Sequence, residues 1–285
     1  MENQGQKKNP NKHLIISLSI IGAAVLVALI IAVVVIVSDL NNRIDGKNAS
    51  ELYASLESSV VSESNYSYTV QKIGKLMLFQ NDGSIAREAD IKNTEELRVD
   101  GSNLYYRKTI TVDDITDTLE MTIIDGTAYI CTKSTGEHDK FEKTQATSNN
   151  FRDSLTTIDS LIWDYDDLFK QSDPVETNGV YLIEMNKELA LDDPAFIKAM
   201  KANAAVFIDD NITNEIERTL WKSCLKSFEA YDYDITYDGE GRPVSLSYGY
   251  AMGNGNMFVG DLAVTAGFEY GKAIISLPEN VDYYN

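Results

Sequence analysis

"ITDTLEMTIIDGTAYIC", residues 115–131, decides how this chain folds. Ile115, Leu119, Met121 and Ile123 alternate with Thr116, Thr118, Glu120 and Thr122. A period of two, apolar on one side and polar on the other, marks an antiparallel strand with one face covered and one wet. Asp125-Gly126 then offers the positive φ angles of a two-residue hairpin turn, and "TAYIC" is the return strand.

The same grammar extends in both directions. "YSYTV" (66–70) alternates, and "NLYYRKTITV" (103–112) puts Leu104, Tyr106, Ile110 and Val112 on one side, with Lys108 breaking the pattern. Further Asp-Gly pairs at 82–83, 100–101 and 238–239 predict more hairpins. The last part returns to period two at Tyr231, Tyr233, Ile235 and Tyr237, then Val244, Leu246, Tyr248 and Tyr250, then Phe258, Leu262, Val264, Phe268 and Tyr270. Helical spacing appears between these blocks. Leu52, Leu56 and Val60 follow Asn48 or Ser50 as caps; Phe151, Leu155, Ile158, Ile162, Tyr165 and Phe169 share a face; Pro194 opens a third helix. Ile212, Ile216, Leu220, Cys224 and Phe228 predict a fourth, and "VYLIEM" (180–185) is a lone strand. The expectation is an α+β fold, one curved antiparallel sheet with helices on its apolar face.

The N-terminus has a different character. Leu14–Val37 runs 24 residues without a charge. At ~1.5 Å per residue it reaches about 36 Å, enough to cross a hydrocarbon core of about 30 Å. That is too long for a signal-peptide core of about 7–15 residues, so it is expected to stay as an anchor. Lys7, Lys8 and Lys12 precede it, while Asp39 and Asp45 follow with only Arg43. The positive-inside rule then gives a cytoplasmic stub (1–13), a transmembrane helix (14–37), a linker (38–47) and an extracytoplasmic domain (48–285), on a single-pass protein of the cell membrane. The chain carries 25 Lys and Arg against 44 Asp and Glu, and the whole of the excess follows residue 45. Such a surface repels nucleic acid.

Catalytic patterns are absent. Of two histidines, His13 adjoins the span and His138 sits in the polar "STGEHDK", so no triad is expected. No HExxH, GxSxG or CxxC occurs. Asp164 and Asp167, beside Trp163 and Tyr165, are the pair to weigh for glycoside hydrolysis, against a wet helix face. No cofactor, metal site or enzyme activity is expected. Cys131 and Cys224 either form a disulfide or stay as two buried thiols.

Two stretches carry a family likeness: "TLEMTIIDGTAYICT" (118–132), and the tail from "DITYDGEGRPVSLSYGY" (234–250) to "GDLAVTAGFEYGKAIISLPENV" (260–281). With the order of elements, they resemble the bacterial lipoprotein-carrier (LolA/LppX-like) superfamily. The resemblance implies a strongly curved half-barrel with helices across its concave face, and a lipid or other apolar ligand held between them. Tyr233, Ile235, Leu246, Tyr248, Leu262 and Val264, with Trp163 and Trp221 from the helices, are then the candidate cavity lining. The alternative is a structural or signalling ectodomain with a filled core that binds a protein or a cell-wall polymer.

Overall fold

The computed structural model describes residues 43–146, 158–186, 193–254 and 258–284. The anticipated transmembrane helix lies outside them. No helix of the described residues is long and apolar enough to cross a membrane.

Two short helices open the domain, α1 (Ala49–Ala54) and α2 (Leu56–Val61). Asn48 caps α1 as its sequence predicts, in a reciprocal capping box with Glu51. The single helix expected here is divided at Ser55. Six strands follow: β1 (Asn65–Phe79), β2 (Ile85–Asp100), β3 (Asn103–Val112), β4 (Ile115–Ile124), β5 (Thr127–Ser134) and β6 (Lys140–Gln145). Asp125 and Gly126 both have positive φ in the β4–β5 turn, at 50° and 77°. A 3-10 turn (Asp159–Leu161) leads to β7 (Val175–Thr177) and β8 (Val180–Glu184), then α3 (Pro194–Asn211) and α4 (Glu215–Ser223). The closing strands are β9 (Ser227–Tyr237), β10 (Pro243–Asn254) and β11 (Phe258–Tyr270).

All strands join one open antiparallel sheet of eleven, in the order β6-β5-β4-β3-β2-β1-β11-β10-β9-β8-β7. The chain returns through β11 to pair with β1, so the two meanders are zipped at the centre from Tyr66↔Tyr270 to Leu78↔Phe258. One face of the sheet, here the inner face, carries Tyr66, Tyr68, Val70, Leu97, Val99, Leu104, Tyr106, Met121 and Ile123 into the core, where the helices cover it. The opposite, outer face is mostly polar.

Two expectations are corrected. Residues 158–169 do not continue as a helix beyond the 3-10 turn. The Tyr53 hydroxyl accepts from Trp163 N at 2.6 Å and donates to Trp163 O at 2.9 Å, so a tertiary partner takes both backbone groups that a helix would use. In α4, Ile216 is 73% exposed rather than buried. Asn214 caps the helix through Ile216 N and Glu217 N, so Ile216 falls in its first turn, while Trp221 and Cys224 reach the core. Of the two alternatives for the cysteines, two buried thiols and not a disulfide are found. Cys131 shares the outer face with its cross-strand partners Glu120 and Phe141, whereas Cys224 belongs to the inner core, so the sheet lies between them. Ile44, assigned to the linker, is also buried, beside the turn at Gly241.

Candidate functional site

The candidate lining residues do come together on the inner face. β9 brings Tyr233 and Ile235, β10 brings Leu246 and Tyr248, β11 brings Leu262 and Val264, and all six are buried. Trp163 covers them from the segment after the 3-10 turn. Its ring centroid lies 4.9 Å from Tyr233, 5.4 Å from Tyr248 and 6.0 Å from Phe196 of α3. Tyr233 also meets Tyr248 at 5.0 Å and Phe169 at 5.5 Å. Tyr53 of α1 joins at 4.9 Å from Phe169. These spacings are those of aromatic rings in direct contact.

Trp221 lies apart from this cluster, at the β1–β11 seam. It sits on two glycines: a Cβ on Gly74 would come within 3.1 Å of Trp221 Cη2 and 3.2 Å of Phe207 Cε1. A Cβ on Gly260 would come within 3.3 Å of Trp221 Cζ3. Close approach, and not backbone conformation, favours glycine at both places, since neither has a positive φ.

Packing closes the space between these residues. Tyr233, Ile235 and Trp221 are 0% exposed, and Tyr248, at 5%, is the most exposed of the eight. A void wide enough for an acyl chain would leave its lining accessible to a water-sized sphere. One groove does reach the cluster from outside. It is about 670 Å³, lies between α1 and residues 159–166, and touches Tyr53, Ile162 and Trp163, with Glu57, Asp159 and Asp164 on its rim. Burial and the neighbouring Asp159 carboxylate raise the Glu57 pKa above the usual carboxylate range. Asp167 faces Lys170 at 3.3 Å instead of joining Asp164 in this groove. Among the described residues, no group of three or more His, Cys, Asp or Glu is arranged to hold a metal ion.

Sequence reasoning missed a polar row on the same inner face. Lys72 of β1, Asn93 and Glu95 of β2, and Asn203 and Asn211 of α3 are all buried. Lys72 Nζ donates to Ser160 Oγ at 2.8 Å, and burial lowers its pKa. Asn93 donates to Asn211 and, at 3.1 Å, to Glu95 Oε1. Lys108, the residue that breaks the apolar pattern of β3, faces Glu95 at 3.5 Å. Asn203 donates to Ser160 O at 2.7 Å and accepts from Tyr248 at 3.1 Å and Tyr250 at 3.3 Å. The available signal was positional: Asn203, Phe207 and Asn211 recur every four residues on one face of α3.

The acidic hairpin at 234–250 proves to be a turn device. Asp238 accepts from Glu240 N and Arg242 N at 3.0 Å each, and from Arg242 Nε at 2.9 Å. Its carboxylate is spent within the loop, and Tyr233 and Tyr237 occupy the buried side. No protein-family model matches the chain, and no curated protein matches it.

Proposed function

We propose that this chain is a non-catalytic, membrane-anchored, extracytoplasmic binding protein whose core is filled and whose ligand, a protein segment, is met at the surface. The observation that carries this is the ring-on-ring closure of the expected cavity, with Tyr233, Ile235 and Trp221 at 0% exposure. The anchor rests on the uncharged run Leu14–Val37 and its lysine-rich cytoplasmic flank. A short linker keeps the domain near the membrane, which suits local capture or assembly better than shuttling.

Lipid capture between a half-barrel and its helices is the second reading. What favours it, beyond the resemblance to lipoprotein carriers, is the groove that opens onto Tyr53 and Trp163. The two readings separate in one experiment. The full chain is purified in detergent, extracted with organic solvent, and the extract is analysed by mass spectrometry against a mock purification. The filled-core reading expects no lipid beyond the mock. One lipid species present near one per chain in repeated preparations refutes it and establishes the second.

A further inference from the structure

The outer face of the sheet is not bare. Residues 271–284 leave β11 and cross it as a strap that reaches β5 and β6. The strap is fixed at two ends. At the first, Gly271 N donates to Asn65 O at 2.9 Å, Ala273 N donates to Asn65 Oδ1 at 2.8 Å, and Asn65 Nδ2 donates to Ala273 O at 3.0 Å. At the second, the Tyr284 ring packs 5.1 Å from Phe141 and 5.5 Å from Tyr129, and Tyr283 lies 5.7 Å from Phe141.

Between these clamps the strap is loosely seated. Among the described residues, no backbone hydrogen bond joins 274–279 to the sheet. Ile274 is 79% exposed and Leu277 is 51% exposed, although both are apolar. A groove of about 390 Å³ remains between the strap and the strands, floored by Arg98, Tyr105, Glu120 and Cys131. A second groove of about 720 Å³ flanks it and shares Arg98 and Ile274. A segment that only completed the fold would be expected to bury its aliphatic side chains and fill this space.

We propose that the outer face of β1–β6 is a peptide-recognition surface and that residues 272–284 are its resident occupant, displaced by a partner protein. The partner presents an extended segment of the strap's own chemistry, aliphatic residues followed by two adjacent aromatic rings. The second ring enters the Tyr129–Phe141 site as Tyr284 does, the first lies against Phe141 with most of its surface exposed as Tyr283 does, and the aliphatic part lies along the groove. This rests on the reading of the domain as a protein-binding module and adds its surface and its partner's chemistry.

Cys131, buried beneath the Tyr284 end, reports on strap opening. The test uses the full chain in detergent with Cys224→Ala, so that a maleimide reads Cys131 alone. The double variant Tyr283→Ala, Tyr284→Ala should raise the Cys131 reaction rate at least tenfold while the far-ultraviolet circular dichroism is unchanged. A dye-labelled peptide of residues 272–284 should bind that variant, restore the slow rate, and lose both effects when its two tyrosines are alanine. Asn65→Ala opens the strap from its other end and should raise the rate in the same direction. The proposal is overturned if Cys131 stays slow in both variants, if the peptide neither binds nor protects an opened chain, or if both variants unfold, which would make the strap part of the core. Those failures leave the filled core intact. A lipid in the extract would refute the filled core without altering the thiol rates.

Discussion

Gly74→Ala measures whether the space between sheet and helices is filled. Gly74 lies in β1 with no positive φ, so alanine is compatible with its backbone. Removing the excess freedom of glycine from the unfolded chain should stabilise by about 0.4–1 kcal/mol. Against this, the new methyl would lie 3.1 Å from Trp221 Cη2 and 3.2 to 3.3 Å from two Phe207 ring atoms, tighter than ordinary contact by a few tenths of an ångström. Neither ring has room to retreat, because Trp221 also rests on Gly260 and both rings are buried. Overpacking of this kind costs about 1–3 kcal/mol. The net expectation is a loss of about 1 kcal/mol, or about 2–4 °C in Tm for a domain near this size. Urea unfolding of the full chain in detergent, followed by the fluorescence of its two tryptophans, measures it directly. Trp221→Phe removes the outer part of the indole. It should therefore relieve part of the cost of Gly74→Ala, the Phe207 contacts remaining, with a coupling of about 0.5–3 kcal/mol in the double-mutant cycle. A stabilised Gly74→Ala, with no coupling to Trp221, would refute the filled core and favour a yielding cavity.

Three other perturbations probe the rest of the fold. Burial raises the phenol pKa values of Tyr53, Tyr233, Tyr237, Tyr248 and Tyr250, and that of Tyr284 to about 12. An unfolded tyrosine loses its proton near 10 while these keep theirs, so stability should be level below about pH 10 and fall steeply above it. A flat urea midpoint between pH 9 and pH 11 would contradict this. Glu95→Leu leaves Lys72 and Lys108 without their buried carboxylate and should cost about 3–5 kcal/mol; adding Lys72→Met should recover part of that loss in the same urea titration. Asp238→Ala removes three hydrogen bonds from one turn and should cost about 1–3 kcal/mol, while leaving the reactivity of Cys131 unchanged.

The strands that announced themselves were those with unbroken alternation. β4, β5, β9, β10 and β11 read directly as strands, and so did the Asp125-Gly126 turn, although in β4 Ile115 and Leu119, expected on the covered face, are exposed and Thr118 and Thr122, expected on the wet face, are buried. β2 did not, because its inward positions run Ala89, Ile91, Asn93, Glu95, Leu97, Val99, and the two polar residues at the middle hide the period. Lys108 on β3 was visible as a break but not as the partner of that glutamate, since the pairing depends on the register Glu95↔Lys108. β6 and β7 are short edge strands with exposed, charged or polar side chains, and such strands carry little apolar signal. The candidate lining was legible as one face, but its closure was not. Period two shows which side is covered, and only the positions of Trp163, Phe196 and Tyr53 show with what.

The polar row also bears on what the inner face can hold. Its bonds run from sheet to helix: Lys72 to Ser160, Asn93 to Asn211, Tyr248 and Tyr250 to Asn203, and Tyr233 to Leu161 O at 2.5 Å. An acyl chain entering this layer would separate these partners and offer them only methylene groups. Each buried donor or acceptor left without a partner costs about 1–3 kcal/mol, and more where it is charged. A chain of ten methylenes gains about 8 kcal/mol on leaving water, at about 0.8 each. Separating even four such pairs would consume that gain. The hydrogen bonds that set α3 and the 3-10 turn on the sheet therefore act as latches against an apolar guest, which supports binding at the outer surface, where displacing the strap breaks, among the described residues, only the two part-buried hydrogen bonds between Asn65 and Ala273.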